Sequence, residues 1–191
     1  VTIQMKINFI LILILNMLKL FFIGFILIFS SCEEAQYTFD NVNDPFNMAL
    51  EPPALFFHPT LIETYTNSQD SVEVYGLQLD SSAAAHIEVT FEYGMITIDS
   101  VSPGPFFANI NDPFEIVIEE GNKIQIYLYY LPDIESDQNT GGTRSLVKIY
   151  FSTLETAGTY GLEFGSNTKI RDAQNDSIRI NTFGLGSINV Q

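Results

Sequence analysis

The apolar positions of this chain follow one rule before Cys32 and another after it. From Ile7 to Phe29 they run almost without interruption, broken by Asn8, Asn16 and Lys19. After Cys32 they recur at every second position in short stretches separated by Gly, Pro, Asn, Asp and Ser. That period of two is the signature of strands with one buried face. The pattern predicts strands at Ala54 to His58, Leu61 to Tyr65, Ser71 to Asp80 and Ile87 to Tyr93, with Glu88, Thr90 and Glu92 facing outward. It continues at Ile96 to Val101, Phe114 to Ile118, Ile124 to Tyr130, Leu146 to Phe151, Tyr160 to Phe164, Ile178 to Asn181 and Ser187 to Val190. Gly121-Asn122 is placed to form a hairpin turn. No stretch after the leader holds a helical period, and Ser81 to Ala85 has room for one turn at most. These eleven stretches differ in strength, Leu61 to Tyr65 being a weak one, and the pattern predicts an all-β, antiparallel two-sheet β-sandwich of about nine strands.

Composition sharpens this picture. The chain has 191 residues, 23 Asp and Glu against 8 Lys and Arg, 16 Phe, 9 Tyr and no Trp. Every acidic residue follows Cys32 while Lys6 and Lys19 precede it, so the part from Cys32 onward carries 23 acids against 6 bases, net −17. Such a surface repels a phosphate polymer, and nucleic acid is disfavoured as a partner.

The leader reads as a helical export signal. From Met17 there is a short positive region ending at Lys19, an apolar run from Leu20 to Phe29, and the small residues Ser30 and Ser31 before Cys32. A retained membrane anchor is the other reading, although a spanning helix wants about 20 apolar residues without a central charge. Leu27-Ile28-Phe29-Ser30-Ser31-Cys32 resembles the lipobox of bacterial lipoproteins, with Phe29 where Leu is usual. The resemblance implies cleavage before Cys32 and lipid attachment to its sulfur. The lipid so implied would anchor the protein in a membrane leaflet, each buried CH₂ contributing roughly 0.8 kcal/mol. A lone cysteine fits, since disulfide frameworks need even counts. Glu33-Glu34 resembles the export signal that sends lipoproteins of Bacteroidetes-type bacteria to the outer face of the outer membrane; attachment facing the periplasm is the alternative. The expected organisation is a signal peptide over 1–31, a Pro- and Asn-rich tether over 32–53 and one domain over 54–191.

Several stretches of the domain resemble a cohesin, the β-sandwich that captures dockerin modules. They are Val89 to Gly104, Gly141 to Phe151 with its Gly-rich entry, the hairpin Ala157 to Phe164, the Asx-rich loop Asp172 to Asp176, and Gly186 to Val190. Gly94 stands where that family has an Asp. The resemblance implies a protein–protein docking role with a dockerin-like partner. Related sandwiches bind polysaccharide through rows of exposed aromatics. Without Trp, such a row would need Tyr127, Tyr129, Tyr150 or Tyr160, and a strand tyrosine is more often an ordinary packing or edge residue.

Candidate chemistry is sparse. Asp133, Glu135, Asp137 and Asn139 place oxygen ligands at alternate positions and could wrap a Ca²⁺ ion. Gln138 and Arg144 stand where an EF-hand needs Gly and Glu, so that loop is excluded; a looser calcium site or a solvated acidic loop remain. Asp172, Asn175 and Asp176 form a weaker cluster. His58 and His86 lie near no nucleophile motif, and neither HExxH nor CxxC spacing occurs. The expectation is a non-enzymatic binding protein that requires no cofactor, with a protein or polysaccharide partner and a structural envelope role as the remaining alternative.

Overall fold

The computed structural model describes residues 49–107, 114–129 and 140–191. Cys32, the tether as far as residue 48, and the loop carrying Asp133, Glu135, Asp137 and Asn139 lie outside the described residues. The described residues form strands and turns without a helix. The strands are β1 (Ala54–His58), β2 (Leu61–Thr64), β3 (Gln69–Phe91), β4 (Ile96–Pro103), β5 (Phe114–Glu120) and β6 (Lys123–Tyr129). They continue with β7 (Thr140–Thr153), β8 (Gly158–Phe164), β9 (Lys169–Asp172), β10 (Ser177–Ile178), β11 (Thr182–Phe183) and β12 (Gly186–Val190).

β3 organises the fold. It runs for 23 residues as one strand, joining the two strands expected at Ser71 to Asp80 and Ile87 to Tyr93. Ser81 to Ala85 is therefore strand, not a helical turn. The first half of β3 lies between β1 and β7, in the sheet β11-β1-β3-β7-β4. Its second half lies between β6 on one side and β9 and β8 on the other, in a second sheet edged by β5 and extended by β10, β12 and β2. The pairing is antiparallel except for β1 with β11 and β12 with β2, which are parallel.

A side-chain period of two would send one half of so long a strand the wrong way unless a residue were inserted. Val72 and Val74 point into the core from even positions, and Ile87, Val89 and Phe91 do so from odd ones. Between them the register with β7 shifts, and Gln78 and Ser81 take positive φ, 48° and 52°. There Leu77 turns to the outer face while Leu79 turns in. β4 solves the same problem: Ile98 and Val101 both pack on the core because the register shifts between Ile98 and Ser100.

The inner faces meet in one apolar cluster containing Leu55, Phe57, Val74, Ile87, Ile126, Phe151, Leu162 and Ile188. Phe57 stacks on Phe164 with ring centroids 4.4 Å apart. β1 is covered on both sides. Its Ala54 and Phe56 face outward into a small second cluster with Leu77, Leu50 and Tyr75, which explains why ALFFH reads as a continuous apolar run rather than an alternation. The residues before β1 are stitched down: Asn181 Nδ2 donates to the Pro52 carbonyl at 2.7 Å, and Asn181 N to that of Pro53 at 2.8 Å.

Two expectations change at the end of β3. Pairing stops at Phe91, so Tyr93 is 79% exposed in a turn that Gly94 makes with φ 78°. Glu88 stands on the outer face as expected, yet it is only 4% exposed, because residues 165–168 fold over it.

After β4, the chain turns back so closely that Gly104 lies against the backbone of Ser145, whose carbonyl oxygen a Cβ at Gly104 would overlap. Phe106 N donates to that same carbonyl at 2.9 Å, so it cannot swing away freely. Gly104→Ala is expected to destabilise the domain by about 1–3 kcal/mol. Denaturant unfolding checks this against Gly161→Ala, where an added Cβ meets open space.

Candidate functional site

Directly paired residues of antiparallel strands project to the same side of a sheet. The register therefore builds the outer face of the second sheet in rows. One runs Ile116, Tyr127, His86, Lys169; the next Tyr129, Ala84, Arg171; a third Ile118, Gln125, Glu88. Ala84 is the small member between two large neighbours. A cleft of about 350 Å³ opens there, floored by Ala84 and Ala85 and walled by Tyr127 and Tyr129 on one side. Lys169, Arg171 and Asn175 form the opposite wall, with His86 at the end.

The cationic wall depends on an irregularity in the sequence after Phe164. Phe164 pairs with Val89 and Lys169 with His86, so the four residues Gly165 to Thr168 oppose only Ile87 and Glu88. This wide bulge sets the register that puts Lys169 and Arg171 on the outer face. Glu88 holds it. Gly165 N donates to the Glu88 carbonyl at 2.8 Å, and Thr168 Oγ1 accepts from Glu88 N and donates to its carbonyl, both at 3.1 Å. The Glu88 carboxylate accepts from Asn167 Nδ2 at 2.9 Å, with Lys123 Nζ 3.6 Å away. Gly165 is required, since a Cβ there would overlap the carboxylate. The Asn167 hydrogen bond holds the Glu88 carboxyl below its ordinary value, outweighing the burial that opposes it, with Lys123 assisting.

Polar contacts also lock the aromatic wall. His86 stacks on Tyr127 at 4.1 Å with the rings 14° from parallel. Tyr127 Oη donates to Gln125 Oε1 at 2.9 Å, and His86 Nε2 lies 3.3 Å from that oxygen, so Nε2 carries the imidazole proton. Burial lowers the His86 pKa, partly opposed by the Gln125 hydrogen bond. Arg171 Nη1 donates to the Asn175 carbonyl at 2.6 Å. No described carboxylate forms a salt bridge with Lys169 or Arg171, whereas Lys123 pairs with both Glu88 and Glu120.

Of the four tyrosines considered for an aromatic row, the structure brings only Tyr127 and Tyr129 together. Tyr150 lies on the first sheet, on β7, under Lys148. Tyr160 is buried and donates to the Thr156 carbonyl at 2.9 Å, so it belongs to the core. Asp172 is likewise occupied: its Oδ1 accepts from the backbone of Gln174 at 3.0 Å and of Asp176 at 2.8 Å, closing its own turn. Among the described residues, no three His, Cys, Asp or Glu side chains converge to hold a metal ion. His58 packs edge-on against Tyr75, away from His86.

No protein-family model matches the chain, and no curated protein does. Solved structures do. A non-cellulosomal cohesin from the archaeon Archaeoglobus fulgidus is 15% identical with a TM-score of 0.59, over 72% of this chain and 90% of that one. The fold is cohesin-like. A Clostridium acetobutylicum protein solved in solution aligns with a TM-score of 0.61 at 16% identity, over 72% of this chain and 91% of its own. The sixth cohesin of Acetivibrio cellulolyticus scaffoldin B, solved in complex with a dockerin, aligns at 0.59 and 14% identity, over 72% and 98%. The similarity to a cohesin read from the strand signals thus holds for the architecture.

The Glu88 clamp makes acid stability testable. A carboxyl whose folded pKa is lowered stabilises the fold above its unfolded value, and that contribution disappears as pH falls through the folded value. Glu88→Gln is expected to cost about 1.5–3 kcal/mol at pH 7. The gap from the parent should close as pH drops below the ordinary carboxylate value of 4.5. Urea unfolding of both proteins between pH 7 and pH 3 checks this; a gap independent of pH would assign the clamp to shape instead of charge.

Proposed function

We propose that this chain is a non-enzymatic, lipid-anchored envelope protein whose cohesin-like domain docks a dockerin-like protein module at the cell surface. The observation that carries the reading is the outer face of the second sheet. On a cohesin-like fold, Ile116 and Ile118 stand 40% and 41% exposed along β5, opposite Tyr127 and Gln125, and Tyr129 of the same face is 39% exposed. Aliphatic and aromatic side chains left exposed together on one rigid sheet suit a partner that covers them. Two structures of similar fold support a protein partner, since each was solved in complex with a dockerin.

Anchoring rests on the lipobox-like segment ending at Cys32, and surface display on Glu33-Glu34 behind it. Around the cleft, the imidazole and the buried carboxylate are already committed. His86 is held by Tyr127 and Gln125, and Glu88 by Asn167.

Two measurements test the reading. Growth with an alkyne-tagged palmitate should label the protein, and Cys32→Ala should abolish the label; a labelled Cys32→Ala protein would refute the anchor. Affinity capture from the native envelope, followed by titration of the identified module, should show binding about tenfold or more weaker for Ile116→Asn with Ile118→Asn. Unchanged affinity in a variant that melts like the parent would refute docking through this face.

A further inference from the structure

We propose that the cleft between Tyr129 and Arg171 binds a carboxylated sugar ring, a uronic-acid residue of an acidic glycan. Its two walls differ in chemistry. Tyr129 supplies the apolar face, with Tyr127 stacked on His86 behind it, while Lys169 and Arg171 lie opposite, two positions apart on β9 and so about 6–7 Å apart along the strand. A ligand matching both walls needs a compact body with an apolar face and an anionic edge. A pyranose bearing a carboxylate has both: its axial C–H bonds form the apolar face and its C6 carboxylate the charged edge.

Three further observations favour this occupant. The volume of about 350 Å³ lies in the range of small-molecule pockets, with space for a sugar ring and part of its neighbours. The floor strand is hydrogen-bonded on both sides, to β6 and to β9. An extended peptide laid there would find no free main-chain partners, so recognition must come from side chains. Charge points the same way. In a protein of formal net charge −15, Lys169 and Arg171 stand on one wall unpaired by any described carboxylate. Arg171 is held by the Asn175 carbonyl, so its charge is oriented without being neutralised. The guanidinium can take a carboxylate on two donors, Lys169 adds a point charge, and Asn175 offers its amide to a ring hydroxyl. The acidic surroundings favour a short acidic stretch over a long polyanion.

The site shares a sheet face and Tyr129 with the docking proposal, but Lys169 and Arg171 belong to the cleft alone and Ile116 and Ile118 to the docking surface alone, so substitutions at those positions let the two fail separately. Isothermal titration of the full chain in detergent with trigalacturonic acid tests it, alongside the carboxyl-reduced trisaccharide and a capped hexa-aspartate peptide. Saturable binding of trigalacturonic acid is expected, weakened by added salt. Arg171→Gln and Tyr129→Ala should each weaken it about tenfold or more. Lys148→Gln on the other sheet and Ile116→Asn with Ile118→Asn should leave it unchanged, with melting curves confirming that all variants fold. No detectable binding overturns the proposal, as does equal binding of the carboxyl-reduced sugar. Affinity indifferent to Arg171→Gln overturns it too, and tighter binding of the aspartate peptide would reassign the cleft to a protein carboxylate.

Discussion

One strand hydrogen-bonded in two sheets is the constraint from which the rest of this domain follows. β3 pairs with β1 and β7 through its first half and with β6, β8 and β9 through its second. Because every backbone group of a buried strand needs a partner, the positions of these neighbours cannot be varied independently. The strand can serve both sheets only by changing the parity of its buried positions, and the irregular stretch around Gln78 and Ser81 does that. A regular strand through this stretch would put either Val72 and Val74 or Ile87 and Val89 into solvent.

The cleft is a by-product of the same arrangement, refined by two local choices. Ala84 is small where its paired neighbours Tyr129 and Arg171 are large, so the sheet surface dips at that point. The bulge over Glu88 then determines which side chains of β9 line the dip. A buried carboxylate is costly unless its lone pairs and charge are satisfied; here an amide, an ammonium group and a tight backbone loop provide that. Glu88 therefore shapes the cleft although it does not line it.

Much of the architecture was legible in the alternation of apolar residues. Ile124, Ile126 and Leu128 against Gln125, Tyr127 and Tyr129 gave β6 and both its faces, and Gly121-Asn122 gave the hairpin before it. What period-two reading missed has a common cause. Bulges keep a strand going while its pattern appears to stop, so β3 read as two strands and the β8 to β9 passage hid Lys169 to Asp172 after Gly165-Ser166-Asn167. Short partners such as Thr182–Phe183 carry too few residues to show any period. Within the site, Tyr127 and Tyr129 could be singled out from sequence. Lys169 and Arg171 could not, since only the register across β3 reveals that they face the tyrosines. Tyr160 could be read either way, because an aromatic strand residue looks the same in sequence whether it faces solvent or core.

The stitching of the residues before β1 has a mechanical consequence. Leu50 packs against the cluster of Ala54, Phe56 and Leu77, and Glu51 to Pro53 are bonded to Asn181 and Thr182. Any pull arriving through the N-terminal chain meets these bonds before it reaches the sheet. Drawn along the axis of β1, it then loads the ladders to β3 and β11 side by side. Strands strained lengthwise yield only when many bonds fail together, whereas strands peeled from an edge give way one bond at a time. The residues before β1 thus act as a strain relief, spreading any such load along a strand buried on both of its faces.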